Sequence, residues 1–383
     1  MSEMSYLEKL LDGVEVEWRN LGDTSLFETA NNGRKPVKAS LRIAGETPYY
    51  GANNIQDYVD GYTHDGEYVL IAEDGSASLE NYSIQYATGK FWANNHVHVV
   101  RGKERIHSRF LYHYLCIVNF LPFLTGGGRA KLTKGQLIEI PVPIPCPENP
   151  EKSLAIQSEI VRILDKFTEL TAELTAELSM RKKQYNYYRD QLLSFKEGEV
   201  KWKTLGEITE INTGQKPSEI LDKAATFDYI NAGTSRSGYT TMSNCDGDTV
   251  TTPSRGQGGI GFVGYQKTPF WLGPLCYKIK SLNNEILINK FLFYTLQSRN
   301  RILLSLKKEG GVPAVNKIDL AKLIIPLPSL DEQKRIASLL DKFDTLTNSI
   351  TEGLPREIEL RQKQYEYYRD LLFSFPKPET VSN

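Results

Sequence analysis

Certain side chains can bond the edges of nucleic-acid bases: Arg suits guanine, and Asn or Gln suits adenine. Lys, Ser and Thr hold phosphates and set register. In this 383-residue chain those types gather in short Gly-, Ser- and Asn-rich stretches bounded by turn residues. One set is Arg34, Lys35, Asn53, Asn54, Gln56, Ser76, Asn94, Asn95, Arg129 and Lys131. A second is Lys216, Thr234, Ser235, Arg236, Ser254, Arg255, Gln257, Lys307 and Lys308. A solvated loop is the competing reading of each residue. If the first reading holds, the chemistry is recognition, not bond-making.

Catalytic patterns are missing. Gly256 to Gly261 fits G-x-G-x-x-G, but the next four residues, Phe262-Val263-Gly264-Tyr265, read as a strand. A nucleotide cradle needs a helix to open there. No G-x-x-x-x-G-K-[ST] or H-E-x-x-H occurs. All five histidines (His64, His96, His98, His107, His113) precede residue 114, and His96 and His98 would share one face of a strand. With no carboxylate or cysteine at ligand spacing, the expectation is surface or DNA-facing histidines without a metal. Cys116, Cys146, Cys245 and Cys276 lie far apart, as expected of buried thiols. No catalytic, metal or cofactor-binding residue is assigned.

Hydrophobic residues make up 40% of the chain and charged residues 24%, a balance that excludes wholesale disorder and fibrous repeats. No apolar run reaches 18 residues, and the start carries Glu3, Glu8 and Asp12 where a signal peptide is apolar. A cytoplasmic location without membrane contact is expected. The net charge of −1 names no partner, but the halves differ. Residues 1–150 hold 14 basic and 18 acidic side chains, and residues 196–328 hold 17 and 12. The second block is the better polyanion binder.

What must position the loops is a repeat. QYNYYRDQLLSF at 184–195 matches QYEYYRDLLFSF at 364–375 in nine of twelve positions, 180 residues on. Leu164-Asp165-Lys166-Phe167 recurs as Leu340-Asp341-Lys342-Phe343, after Pro-rich strand ends at 140–145 and 324–328. Fainter echoes pair Val16–Gly22 with Val200–Gly206, Lys35-Pro36 with Lys216-Pro217, and Gly127-Gly128 with Gly310-Gly311. The chain therefore reads as two copies of one unit, each a mixed α+β globule and a long helix. The expected boundaries are 1–148 (first globule), 149–196 (first helix), 197–328 (second globule), 329–376 (second helix, kinked near 353–355) and 377–383 (tail).

Asn149 can cap the first helix with Pro150 at its first position, and Ser329 with Glu332 forms a capping box for the second. Each helix carries an apolar stripe at steps of three and four, including Phe167, Leu170, Leu174 and Leu178 in one and Phe343, Leu346 and Ile350 in the other. Two such stripes can bury each other as an antiparallel coiled coil; packing of each helix on its own globule is the alternative. Thr171-Ala172-Glu173-Leu174 is repeated at once as Thr175 to Leu178, and each such step adds about 6 Å of helix. Gly353 and Pro355 predict a break in the second helix. Tyr187 and Tyr367 should point away from the stripes.

Together these residues resemble the DNA-specificity subunits of type I restriction-modification systems, over the full length. The features that carry the resemblance are the Pro-rich strand ends running into Ile156-Gln157 and Asp331-Glu332-Gln333, L-D-K-F twice, the twin Q-Y-x-Y-Y-R-D ends and the tandem T-A-E-L. The resemblance implies two target-recognition domains, each reading one half of a bipartite, asymmetric sequence in double-stranded DNA. It implies a pseudo-twofold layout, with the helices setting the spacer and seating two modification subunits. S-adenosylmethionine and ATP would belong to those partners and to restriction subunits joining outside. Tyr6 to Trp18 resembles the join from Tyr188 to Trp202, as if the end of the second helix returned beside the first globule. Two other readings stay open. A stand-alone DNA-modifying enzyme is disfavoured, since the N/D-P-P-Y/F of adenine-N6 methyltransferases needs a Pro-Pro dipeptide and none occurs. A coiled-coil protein that never touches DNA is the other.

Overall fold

A computed structural model of the chain describes Leu10 and residues 13–126, 130–224, 226–256, 258–308 and 312–375. The chain divides into two compact units, Met1–Glu173 with Ile358–Asn383, and Leu174–Glu357. The division falls inside the first long helix, not at its start.

Unit 1 contains β1 (Val16–Asn20), β2 (Phe27–Thr29), β3 (Ala44–Tyr50), β4 (Ile55–Val59), β5 (His64–Asp65), β6 (Tyr68–Ala72), β7 (Ile84–Ala87), β8 (Lys90–Ala93), β9 (Val97–Gly102), α1 (Ser108–Leu115), α2 (Lys134–Leu137), β10 (Pro141–Pro145) and the first part of α3 (Pro150–Leu192). One four-stranded sheet has the order β2-β9-β6-β7, and another β4-β3-β8-β5, with β3 and β8 parallel. Every residue of β6 is buried, which is why its sequence is a continuous apolar run. Successive side chains still leave opposite faces. Val69 and Ile71 join Phe110, Leu111 and Leu115 of α1 and Ile160 and Leu164 of α3, whereas Tyr68 and Leu70 join Phe91 and Ala93 of β8. Among the described residues the Pro-rich strand β10 pairs with β1 alone. Prolines at alternate positions leave Val142 and Ile144 to donate, a pattern that a two-stranded edge tolerates.

Unit 2 repeats the plan with β11 (Lys201–Thr204), α4 (Leu205–Ile208), β12 (Thr209–Thr213), β13 (Phe227–Ile230), β14 (Gly238–Thr240), β15 (Thr249–Pro253), β16 (Gly264–Gln266), β17 (Trp271–Leu272), β18 (Cys276–Ser281), α5 (Asn289–Ser298), α6 (Asn300–Ser305), α7 (Lys317–Ala321), β19 (Ile324–Leu327) and α8 (Leu330–Asn348). The order β12-β18-β15-β16 reproduces β2-β9-β6-β7, β11-β19 reproduces β1-β10, and β13 lies parallel to β17 as β3 does to β8. Among the described residues β5 has no counterpart, so the smaller sheet here, β14-β13-β17, has three strands.

In unit 1, Ile156, Ile160 and Leu164 of α3 are buried with Leu372 and Phe373, and Phe167 stacks on Tyr368 of α9 (Leu354–Leu372) at 5.2 Å between ring centres. In unit 2, Tyr185 and Leu193 are buried with Ile336 and Leu340 of α8, and Tyr188 stacks on Phe343 at 5.9 Å. The two packing alternatives are therefore not exclusive: within each unit the stripes meet each other and the globule. Leu170, Leu174 and Leu178 are half-buried.

The second helix is two helices. Its first part stops at Asn348, and Gly353 takes φ +85, where an added Cβ would fall 2.4 Å from the Thr345 carbonyl oxygen. Ile350, expected in the stripe, instead lies in that loop and is 77% exposed, and Leu346 in the last turn of the first part is 36% exposed. At the starts, Lys152 donates its backbone N–H to Asn149 Oδ1 at 3.0 Å, and Glu332 donates to Ser329 Oγ. The Glu332 carboxylate accepts from Arg335 instead of completing the capping box. The first helix ends at Leu192, short of the expected 196, and the expected tail lies outside the described residues.

Candidate nucleic-acid interface

Strand β6 runs out into Glu73, Asp74, Gly75 and Ser76. Leu132 donates to the Glu73 carbonyl at 2.8 Å, and Asp74 bridges Lys131 on the neighbouring strand segment. The Glu73 carboxylate accepts from Arg34 at 2.6 Å and Lys131 at 2.9 Å. Burial pushes its pKa up, but these two cations outweigh burial and hold it below the ordinary carboxylate range. Arg34 also donates to the Val97 carbonyl at 2.8 Å. Asn53 clamps the turn, donating to Gly75 O and accepting from Ala77 N, both at 2.8 Å. Asn94, 3% exposed, accepts from His96 N. Arg34, Asn53, Ser76, Asn94, Asn95 and Lys131 thus come together around one turn, with Asn54 and Gln56 exposed just beyond Asn53. Arg34 and Asn94 are committed to building it. Lys35 is exposed on a separate strap held by Trp92 Nε1 donating to its carbonyl.

Unit 2 forms the same turn with other side chains. Strand β15 runs into Ser254, 8% exposed, and Arg255, exposed; Val315 donates to the Ser254 carbonyl at 2.9 Å, and Arg255 bridges Ala314. Ala314 in turn pairs with Lys308, whose ammonium lies 2.8 Å from Asp319. Gly259 backs onto Gly233 so closely that an added Cβ would sit 2.8 Å from the Gly233 nitrogen, which brings the Thr234-Ser235-Arg236 loop alongside. Arg236 pairs with Asp228 at 3.0 Å and covers the Tyr239 ring. Lys216 is exposed and Lys307 lies beside Lys308. Arg129 and Gln257, with the turns at 127–128 and 310–311, lie outside the described residues. The G-x-G-x-x-G stretch leads into β16, not a helix, so it presents no helix terminus to a phosphate.

One sequence pairing shifts. Lys35 N donates to Ala93 O and Gln215 N to Leu272 O, and Trp92 and Trp271 donate to the carbonyls of Lys35 and Gln215. Lys35 therefore corresponds to Gln215, and Lys216 falls one residue later.

In each unit a polar junction joins the globule to a long helix. Gln157 and Gln333, both fully buried, accept from the backbone N–H of His107 and Ile288 and donate to the carbonyls of Arg105 and Ile286. In unit 1, Asp165 accepts from Arg109 at 2.8 Å and pairs with His113 Nε2 at 2.7 Å, while His113 Nδ1 faces the Tyr365 hydroxyl. In unit 2, Asp341 accepts from Lys290 at 2.8 Å and from the Tyr294 hydroxyl at 2.5 Å. The carboxylates are those of the repeated L-D-K-F; that motif was the visible signal, and its role was not.

The expectation of surface histidines fails for three of five. His64, His98 and His113 are buried, His98 between Asn31 and the Leu132 carbonyl. Burial pushes His113 down to about 4 against the opposing pull of Asp165. Of the thiols only Cys276 is fully buried. Among the described residues no three His, Cys, Asp or Glu side chains group as a metal site, and no helix is long and apolar enough to cross a membrane. Tyr187 and Tyr367 are 61% and 57% exposed, each edge-on to its neighbouring tyrosine.

Two copies of one scaffold, alike in their junctions and unlike in their turns, define a duplicated recognition protein. The family model described as "Type I restriction modification DNA specificity domain" matches residues 14–180 and 197–360, one match per repeat. A chain of Haemophilus influenzae assigned as a type I restriction enzyme specificity subunit is 46% identical over 97% of this chain and 98% of its own length. A type I restriction enzyme specificity subunit of Escherichia coli is 42% identical over 100% of both. The crystal structure of a type I restriction-modification S subunit from M. genitalium shares the fold, with a TM-score of 0.67 at 18% identity, over 96% of this chain and 98% of that one. This chain belongs to the type I restriction-modification specificity subunit family.

Proposed function

We propose that the chain is the DNA sequence-specificity subunit of a type I restriction-modification complex and catalyses nothing itself. Each globule reads one half of a bipartite, asymmetric target. The long helices set the unread spacer and seat two methyltransferase subunits, with restriction subunits joining through the complex. S-adenosylmethionine and ATP are used by those partners, and the assembly works in the cytoplasm.

The observation that carries this reading is the family match on both repeats, together with one turn built twice from different side chains. A shared scaffold with divergent turns is what two readers of different half-sites require. The exposed polar residues, with the half-buried Ser76 and Lys131, are assigned to DNA: Lys35, Asn53, Asn54, Gln56, Ser76, Asn95 and Lys131 in the first globule, and Lys216, Thr234, Ser235, Arg236, Arg255, Lys307 and Lys308 in the second, with Arg129 and Gln257 retained from sequence. Arg34, Asn94 and Ser254 support these turns from within. Protection of duplex DNA by the chain with its modification subunits tests the reading: two short protected blocks flanking an unprotected gap are expected, and one continuous block would overturn it.

A further inference from the structure

The backbone puts Asp74 and Arg255 at the same place in the two globules. Each is the second residue beyond an equivalent strand, β6 or β15. Each bridges the same neighbouring segment, Asp74 to Lys131 and Arg255 to Ala314, and that segment bridges a third, at Thr125 and Lys308. The residue before each is fixed alike. Glu73 N donates to His96 O and Glu73 O accepts from Leu132 N, whereas Ser254 N donates to Leu275 O and Ser254 O accepts from Val315 N, all within 2.8–2.9 Å. The scaffold is common and the side chains are opposite in charge.

Both side chains are presented outward. Asp74 Oδ1 is held at 2.5 Å by His96 Nδ1, and among the described residues its Oδ2 makes no hydrogen bond. The side chain is 37% exposed. Arg255 is exposed, and among the described residues its guanidinium makes no hydrogen bond or ion pair. A lysine stands beside each, Lys131 bridging Asp74 and Lys308 pairing with the bridge partner of Arg255. A phosphate-binding cation next to one variable side chain is the arrangement base readout uses.

We propose that Asp74 and Arg255 occupy one equivalent base-reading position in the two globules, Asp74 accepting from the exocyclic amino group of cytosine and Arg255 donating to the O6/N7 edge of guanine. The assignment rests on the specificity-subunit reading above and adds the residue and base at one position of each half-site. Arg with guanine and a carboxylate with cytosine N4 are the pairings that major-groove geometry favours. His96 positions Asp74: with one oxygen anchored, the other is left to meet the base.

The test is selection of sites from a random duplex library by the full chain bound to its modification subunits, using wild type, Asp74→Ala, Asp74→Arg and Arg255→Ala. Wild type should select two blocks. Asp74→Ala should lose preference for cytosine at one position of one block by about 5- to 100-fold, with the other block unchanged. Arg255→Ala should do the same to a guanine of the other block. Asp74→Arg should turn the cytosine preference into one for guanine at that same position, a change that a merely structural role for Asp74 would not produce. Two wild-type blocks left unaltered by the variants, or altered in the same block by both, would overturn this inference alone. No split sequence from wild type would overturn the function reading and this inference with it.

Discussion

At the residue scale, the two buried junctions share their glutamine and aspartate and differ in the ring that meets the aspartate. His113 sits where Tyr294 sits in the repeat, each against the aspartate of L-D-K-F. The imidazole is enclosed by Asp165, Arg109, Tyr112 and Tyr365 and is fully buried, so burial favours the neutral ring. The folded pKa, about 4, lies below the ordinary value of 6.5. As pH falls, the unfolded chain therefore binds this proton first. Stability from neutral His113 is complete above about pH 6.5 and is lost progressively down to about pH 4, a total of about 3 kcal/mol. His113→Gln should flatten that slope in unit 1 when stability is followed by chemical denaturation from pH 7 to 4.5; an unchanged slope would refute the assignment. Sequence alone did not reveal this. Histidine spacing says what a strand face could share, whereas burial depends on which helix closes over the ring.

At the element scale, periodicity made the long helices legible, and their ends less so. Steps of three and four fix the buried face, because only that spacing keeps Ile160, Leu164 and Phe167 on one side. Gly353 with Pro355 marked the interruption. Ile350 was misplaced because the stripe was continued through a segment that is not helical. The break depends on glycine: φ +85 is strained for any other residue, and a side chain there would meet the Thr345 carbonyl. Gly353→Ala should destabilise unit 2 by about 1–3 kcal/mol, read as a lower denaturation midpoint with α3 helicity retained. A neutral result would show that the loop can rearrange. The turns were legible in kind, since Asn, Ser, Gly and Arg mark exposed loops. Their register was not: the Lys35 and Lys216 offset slips by one residue because the loops differ in length, and only the backbone bonds from Ala93 and Leu272 fix the alignment.

At the scale of the whole molecule, the duplication carries the argument. Offsets near 180 residues in the sequence became the same strand order twice. The helix α3 is continuous through both T-A-E-L copies. Inserting a third copy should lengthen the helix by about 6 Å and widen the gap between the two recognised blocks by one or two base pairs, leaving the blocks themselves unchanged. An unaltered gap would remove the spacer role from the helices.

The claim that everything else supports is split recognition by one chain. Mapping adenine methylation across the genome of cells with and without this chain, in the presence of its modification subunits, tests it most directly. The expected result is a motif of two blocks around a fixed unread gap that vanishes when the chain is absent. A contiguous motif, or a split motif that persists without the chain, would contradict it.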